Sequence, residues 1–294
     1  MKHRILPVLW FIFWFAFCTV TPAMAIDLAP LWNFSDPALS EQRLREAQAT
    51  ASTDDALILQ TQIARTYGLR KDFARAQQIL REMEPRLPGA SAEVRVRHAL
   101  EYGRTLASTT HDEASQTPEL KAQARAAYTR ALDLAKAAQL DGLAVDTLHM
   151  MAMVDTAPAD QLKWGQQALA LVQASTQEDA KKWEASLRNN IGYALHQLGR
   201  YDEALEQFQQ QIVLRERGTN AEATRVAYWM LAWTLRALKR QDEAIVIQER
   251  LAREGDAAGE PDPYVFEELE ILYGERGDSV RADAAAARKK ALEK

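Results

Sequence analysis

Apolar residues recur at intervals of three and four along most of the chain after residue 26. In "LRNNIGYALHQL" (187–198), Ile191 and Leu195 fall one turn apart on a common face. "AYWMLAWTLRAL" (227–238) repeats this with Leu231 and Leu235, and "YVFEELEILYGE" (264–275) with Leu269 and Tyr273. Earlier, "LQTQIARTYGL" (59–69) and "HALEYGRTL" (98–106) show the same spacing. A period near 3.6 predicts amphipathic helices. Each such stretch runs through a short polar turn into a second periodic stretch. Neither half can bury its apolar stripe alone. No run of alternating β-branched residues follows residue 26, so the chain reads as all-α.

The second stretches also repeat. "GRYDEALEQF" (199–208) is matched closely by "KRQDEAIVIQ" (239–248) and more loosely by "RGDSVRADAAAA" (276–287). "KDFARAQQIL" (71–80) and "QARAAYTRAL" (123–132) fit as well, and "QLKWGQQALAL" (161–171) fits least. The aligned positions are Ala76, Ala124, Gln161, Ala204, Ala244 and Ala282, with gaps of 48, 37, 43, 40 and 38 residues. Small residues stand at one point of the preceding helices: Ala64, Gly103, Gly192 and Ala232. They let a partner helix approach closely. Glycine there costs about 1 kcal/mol of helix propensity, which closer packing must offset.

Gly192, Tyr201, Ala204 and Phe208 carry the clearest resemblance, which is to the tetratricopeptide repeat family. It extends over residues 51–294. The family's usual unit is about 34 residues; the surplus here lies in longer helices and in inserts at 107–118 and 253–263. The resemblance implies a right-handed superhelical solenoid of about six antiparallel helix pairs, with first helices on a concave inner face and second helices outside. Such stacks gain stability from each unit and from its interfaces with neighbours. Residues 26–50 form an N-terminal segment, in which "DPALSEQRLREAQA" (36–49) predicts a solvated cap helix with Pro37 at its first position.

Given that geometry, the inner face receives Thr61 and Arg65 from the first pair, and Arg97, Leu100 and Arg104 from the second. The third supplies His149 or Met150; the fourth Asn189, Tyr193 and His196; the fifth Trp229, Trp233 and Arg236; the sixth Tyr264 and Glu267. Trp229 and Trp233 are four apart, so their rings stack on one face. Tryptophan and arginine are enriched at binding hot spots, although aromatic stripes on repeat helices also serve as core. Asn189 suits the backbone of an extended peptide, or simply faces water. Arg65, Arg97, Arg104 and Arg236 would form a track for acidic groups, through bidentate guanidinium contacts, or are ordinary surface arginines. Some relatives clamp a C-terminal carboxylate with Lys, Asn and Arg. Asn189 and Asn190 sit in plausible places for that, but the lysines are missing.

The first 25 residues stand apart. Lys2, His3 and Arg4 precede an apolar run from Ile5 to Val20, followed by "TPAMA" with Ala23 and Ala25 in small-x-small spacing. This is the pattern of a signal peptide, with cleavage expected after Ala25. An uncleaved anchor is the alternative, but the run is short of the roughly 20 residues a span needs. Lipidation at Cys18 is disfavoured by the bulk of Phe17. Removal of this segment leaves no cysteine, which suits an oxidising compartment such as a periplasm. It also leaves 34 basic residues against 41 acidic ones, a net charge of −7. An acidic chain without a basic block argues against nucleic acid.

Candidate chemistry is sparse. His98, His111, His149 and His196 make no metal-binding spacing, and no phosphate loop or nucleophile elbow is present. Glu267 and Glu270 share a helix face, as many solvated acids do. Asp155 or Thr156 in "AMVDTAPADQL" (152–162) reads as a helix cap. No catalytic residue, metal site or cofactor is expected. The expected function is an exported, non-enzymatic scaffold holding a protein or peptide of the cell envelope in its concave face, with no membrane span after signal cleavage. The alternative is an α-superhelical enzyme or small-molecule receptor acting on an envelope component. Fold alone does not decide between them.

Overall fold

A computed structural model describes residues 26–293; the expected signal peptide lies outside the described residues. Within them the regular structure is helical, with no strand. The cap helix α1 runs Pro37–Gln48, close to the 36–49 expected. Its start follows from Asp36, whose carboxylate accepts from Leu39 N at 3.0 Å, and from Pro37 at the first position. Glu41 ties α1 to the next helix, accepting from Tyr67 Oη at 2.8 Å and pairing with Arg70.

Six helix pairs follow. They are α2 (Thr53–Leu69) with α3 (Phe73–Met83), α4 (Ala92–Leu106) with α5 (Pro118–Ala137), and α6 (Asp141–Val154) with α7 (Pro158–Ala174). After a single turn, α8 (Glu178–Lys181), come α9 (Glu184–Gln197) with α10 (Tyr201–Arg215), α11 (Ala221–Ala237) with α12 (Gln241–Ala258), and α13 (Pro263–Glu275) with α14 (Ser279–Leu292). Each pair packs on the next, so the core is a run of apolar clusters along the stack. This is an all-α solenoid of repeated hairpins. The 107–118 insert is ordered against it: His111 stacks on Phe73 at 3.8 Å, and its Nε2 lies 3.1 Å from Thr105 O.

Repetition shows in the atoms. The turns before α3, α6, α10, α12 and α14 close with the same bond, from the amide of Asp72, Leu140, Arg200, Arg240 or Asp278 to the carbonyl five residues back, each 2.9 Å. This Schellman geometry requires a left-handed residue, and Lys71, Gln139, Gly199, Lys239 and Gly277 all have positive φ. The small first-helix residues behave as expected. A Cβ on Gly103 would lie 2.5 Å from Tyr128 Cε1, and one on Gly192 2.6 Å from Phe208 Cε1. Both aromatic rings are fully buried.

The third pair departs from the pattern, for a readable reason. Gln161 is the fourth residue of α7, as Ala204 is of α10, and Gly165 is the eighth, as Phe208 is. With no aromatic ring there, Ile191 of α9 closes on Gly165, where a Cβ would meet its Cγ1 at 2.9 Å. Gln161 turns back to donate to Ala152 O at 3.3 Å. One sequence expectation is corrected here: α7 begins after Ala157 without a side-chain cap. Asp155 instead accepts from Trp164 Nε1 at 3.0 Å and pairs with Arg125.

Candidate binding sites on the first-helix face

The first helices bring the candidate residues together in two groups. The first lies across α2, α4 and α6. Arg104 donates to Glu101 Oε1 and to Asp146 Oδ1, each at 2.5 Å. Glu101 and Asp146 are almost fully buried. Burial alone would depress the Arg104 pKa, but the charges of Asp146 and Glu101 outweigh it and hold it above the ordinary arginine value. Burial likewise opposes ionisation of Asp146, and Arg104 and Arg65 overcome it, keeping its pKa low. Burial pushes the His149 pKa down. A cavity of about 210 Å3 opens beside this cluster, walled by Arg65, Glu101, Arg104, Asp146, His149, Met150, Met153 and Trp183 and bordered by the hydroxyls of Thr105 and Ser108–Thr110.

A second cavity, of about 270 Å3, adjoins it through His149 and Met153. It occupies the space beside Gly165 and is lined also by Gln161, Asn189, Asn190 and Tyr193. Asn190 Nδ2 lies 3.3 Å from His149 Nδ1, joining α9 to α6. Gln211 on α10 donates to Asn189 Oδ1 at 3.3 Å and so orients the asparagine from behind.

The second group is an aromatic tier on α9 and α11. Tyr193, Trp233 and Trp229 stack in sequence, with centroids 6.0 and 5.9 Å apart and planes within 21°. His196 lies flat on Trp233. Trp229 Nε1 donates to Tyr264 O at 3.2 Å. The tryptophans are half-buried and Tyr193 is exposed. The tier therefore combines rigid rings with accessible edges, the type of surface that anchors a partner at low entropic cost.

The proposed arginine track needs correction. Arg236 makes a bidentate pair with Glu268 at 2.7 and 2.9 Å, and Glu268 is buried. Arg104 is held between Glu101 and Asp146. Arg97 stands two turns before Arg104, bonded to Glu93 at 2.8 Å and outside the cavity. These guanidiniums neutralise the protein's own acids and are not a free row. Glu267 and Glu270 both face Lys289, at 3.9 and 3.0 Å. Sequence reasoning missed Glu101, Asp146 and Trp183. The spacing of Glu101 three before Arg104 was the available signal.

The tetratricopeptide repeat family model matches residues 183–253, which hold the fourth and fifth pairs and the aromatic tier. Residues 183–253 therefore carry the tetratricopeptide repeat pattern. Its fold is similar to that of a Signal Transduction ATPase with Numerous Domains protein with a tetratricopeptide repeat sensor, from Pyrococcus horikoshii. The TM-score is 0.66 at 13% identity, over 87% of this chain and 39% of that one. The chain thus spans about two fifths of that protein's length, and the likeness concerns the fold alone. BtubC from P. vanneervenii aligns over 91% of each chain at 15% identity, with a TM-score of 0.42 too low to carry weight. No curated protein matches the chain.

Proposed function

We propose that the protein is an exported, non-enzymatic scaffold that holds a protein or peptide partner of the cell envelope against its first-helix face. Tetratricopeptide repeats are interaction scaffolds, and the observation that carries the reading here is the Tyr193–Trp233–Trp229 tier. The rings are locked by stacking and by the Trp229 bond to Tyr264, so little freedom is lost when a partner docks. Asn189, oriented by Gln211, offers a donor for an extended backbone beside the tier.

Export rests on the residues before Ile26: a basic start, an apolar run and a small-x-small site, with cleavage after Ala25. The periplasm is the compartment this implies. No helix among the described residues is long and apolar enough to cross a membrane. The net acidic charge gives nucleic acid no footing.

The test replaces Tyr193 and Trp233 together by alanine. Arg236 is left in place, because its removal strands the buried Glu268. Affinity capture of envelope partners from the periplasmic fraction is expected to lose its specific partner, with helical content unchanged. A folded double variant that captures the same partners as the parent overturns the reading.

A further inference from the structure

We propose that the cavity beside Arg65 and Glu101 is a separate ligand site, which takes a small zwitterion with an apolar body, of the class of an α-amino acid or dipeptide.

Two groups in its wall, Glu101 Oε2 and the Arg65 guanidinium, lack hydrogen-bond partners among the described residues, and they are opposite in charge. Glu101 is 2% exposed, and its Oε2 accepts no hydrogen bond from any described residue. Arg65 makes no hydrogen bond with a described residue either; its nearest carboxylate oxygen, Glu101 Oε1, is 3.9 Å away. The rings of Trp32 and Phe34, stacked on each other at 4.8 Å, lie 5.5 and 5.6 Å from the Arg65 guanidinium and fix it at the cavity. Burial, then repulsion from Arg104, depresses the Arg65 pKa, as expected of an under-compensated cation.

The remaining charges satisfy each other. Arg104 spans Glu101 Oε1 and Asp146 Oδ1, leaving Arg65 as donor and Glu101 Oε2 as acceptor. A simple anion on Arg65 would press against the Glu101 carboxylate. A simple cation on Glu101 would press against Arg65. A ligand carrying an ammonium and a carboxylate a few ångströms apart answers both, with one charge-assisted bond to each group. Met150, Met153 and Trp183 form the apolar wall for the ligand's side chain. The cavity, about 210 Å3, has the liquid volume of about seven waters, enough for one amino-acid unit. The adjoining space lined by Asn189 and Asn190 has room for a second.

The test is isothermal titration of the purified protein with L-methionine, L-leucine and L-phenylalanine, their N-acetyl and amide forms, and dipeptides of these residues. The free zwitterions are expected to bind. Acetylation and amidation, which each remove one charge, are expected to weaken binding by at least about tenfold. Tighter binding of dipeptides assigns the adjoining cavity as a second subsite; tighter binding of single amino acids confines the ligand to the first. Arg65→Gln is expected to cost a similar factor with an unchanged unfolding midpoint. Should that variant not fold, Met153→Trp, which fills the cavity from its apolar side, is expected to abolish binding. No heat from any free zwitterion at millimolar concentration, equal affinity for the capped forms, or full affinity in Arg65→Gln overturns the proposal. The Trp233→Ala protein, whose change lies in the wall of neither cavity, is expected to keep this binding, so the two sites succeed or fail separately.

Discussion

His196 lies face to face on Trp233, with ring centroids 3.3 Å apart and planes at 16°, and its Nε2 is buried without a hydrogen-bond partner among the described residues. A charged imidazole is poorly placed there. Burial, then the nearby Arg236, lowers its pKa to about 4. The unfolded value is about 6.5. Between those values the unfolded chain binds the extra proton, so this group's contribution to stability is full above about pH 6.5 and is lost as the pH falls toward about 4. His196→Phe keeps a ring on Trp233 but cannot titrate. Its unfolding midpoint in urea is expected to fall less than the parent's between about pH 7 and about pH 4.5. His98 and His149 shift in the same direction but are common to both proteins. Parallel pH curves would refute the assignment.

The contact of Gly192 with Phe208 makes a second prediction. Gly192→Ala gains about 1 kcal/mol of helix propensity but places a methyl 2.6 Å from the ring. Overpacking costs about 1–3 kcal/mol, so a net loss of stability is expected in chemical denaturation. Phe208→Leu makes room, and the double variant is expected to lose less than the two single losses added. Strict additivity would show that the glycine is not needed for close approach.

Arg104 is the counter-ion of two buried acids. Arg104→Met is expected to destabilise by about 3–5 kcal/mol, because it strands Asp146 and leaves Glu101 only the more distant Arg65. Adding Glu101→Gln and Asp146→Asn should restore most of the loss. A single variant as stable as the parent would mean that the cluster is hydrated and loosely held.

Lys239 holds a left-handed turn with φ at 61°, where Gly199 and Gly277 serve in the neighbouring pairs. Lys239→Gly relieves that backbone at the cost of freedom in the unfolded chain, and a gain of up to about 1 kcal/mol is expected. The side chain's contact with Glu275, at 3.9 Å and exposed, contributes little. A clear loss of stability would contradict the turn geometry.

The solenoid was legible because helix period and repeat spacing report local packing. Ile191, Gly192, Ala204 and Phe208 each do in the fold what their positions imply. The aromatic tier was legible too, since Trp229 and Trp233 are neighbours on one helix. The arginines misled. A residue's presence on a face is readable from its period, but its partner comes from another helix: Arg236 meets Glu268 32 residues on, and Arg104 meets Asp146 42 residues on. Asp155 misled similarly, because a competing acceptor role toward Trp164 took its carboxylate. The cavity beside Gly165 was half legible, as the weakest repeat; its consequence needed Ile191 in place.

Photo-crosslinking from single positions in cells tests the binding face most directly. A crosslinking residue in place of exposed Tyr193, on the first-helix face, is compared with one in place of Val246, 65% exposed on α12. Position 193 is expected to trap a discrete envelope protein and position 246 to trap none. Crosslinks from position 246 with none from 193 would place the working surface on the opposite side of the solenoid.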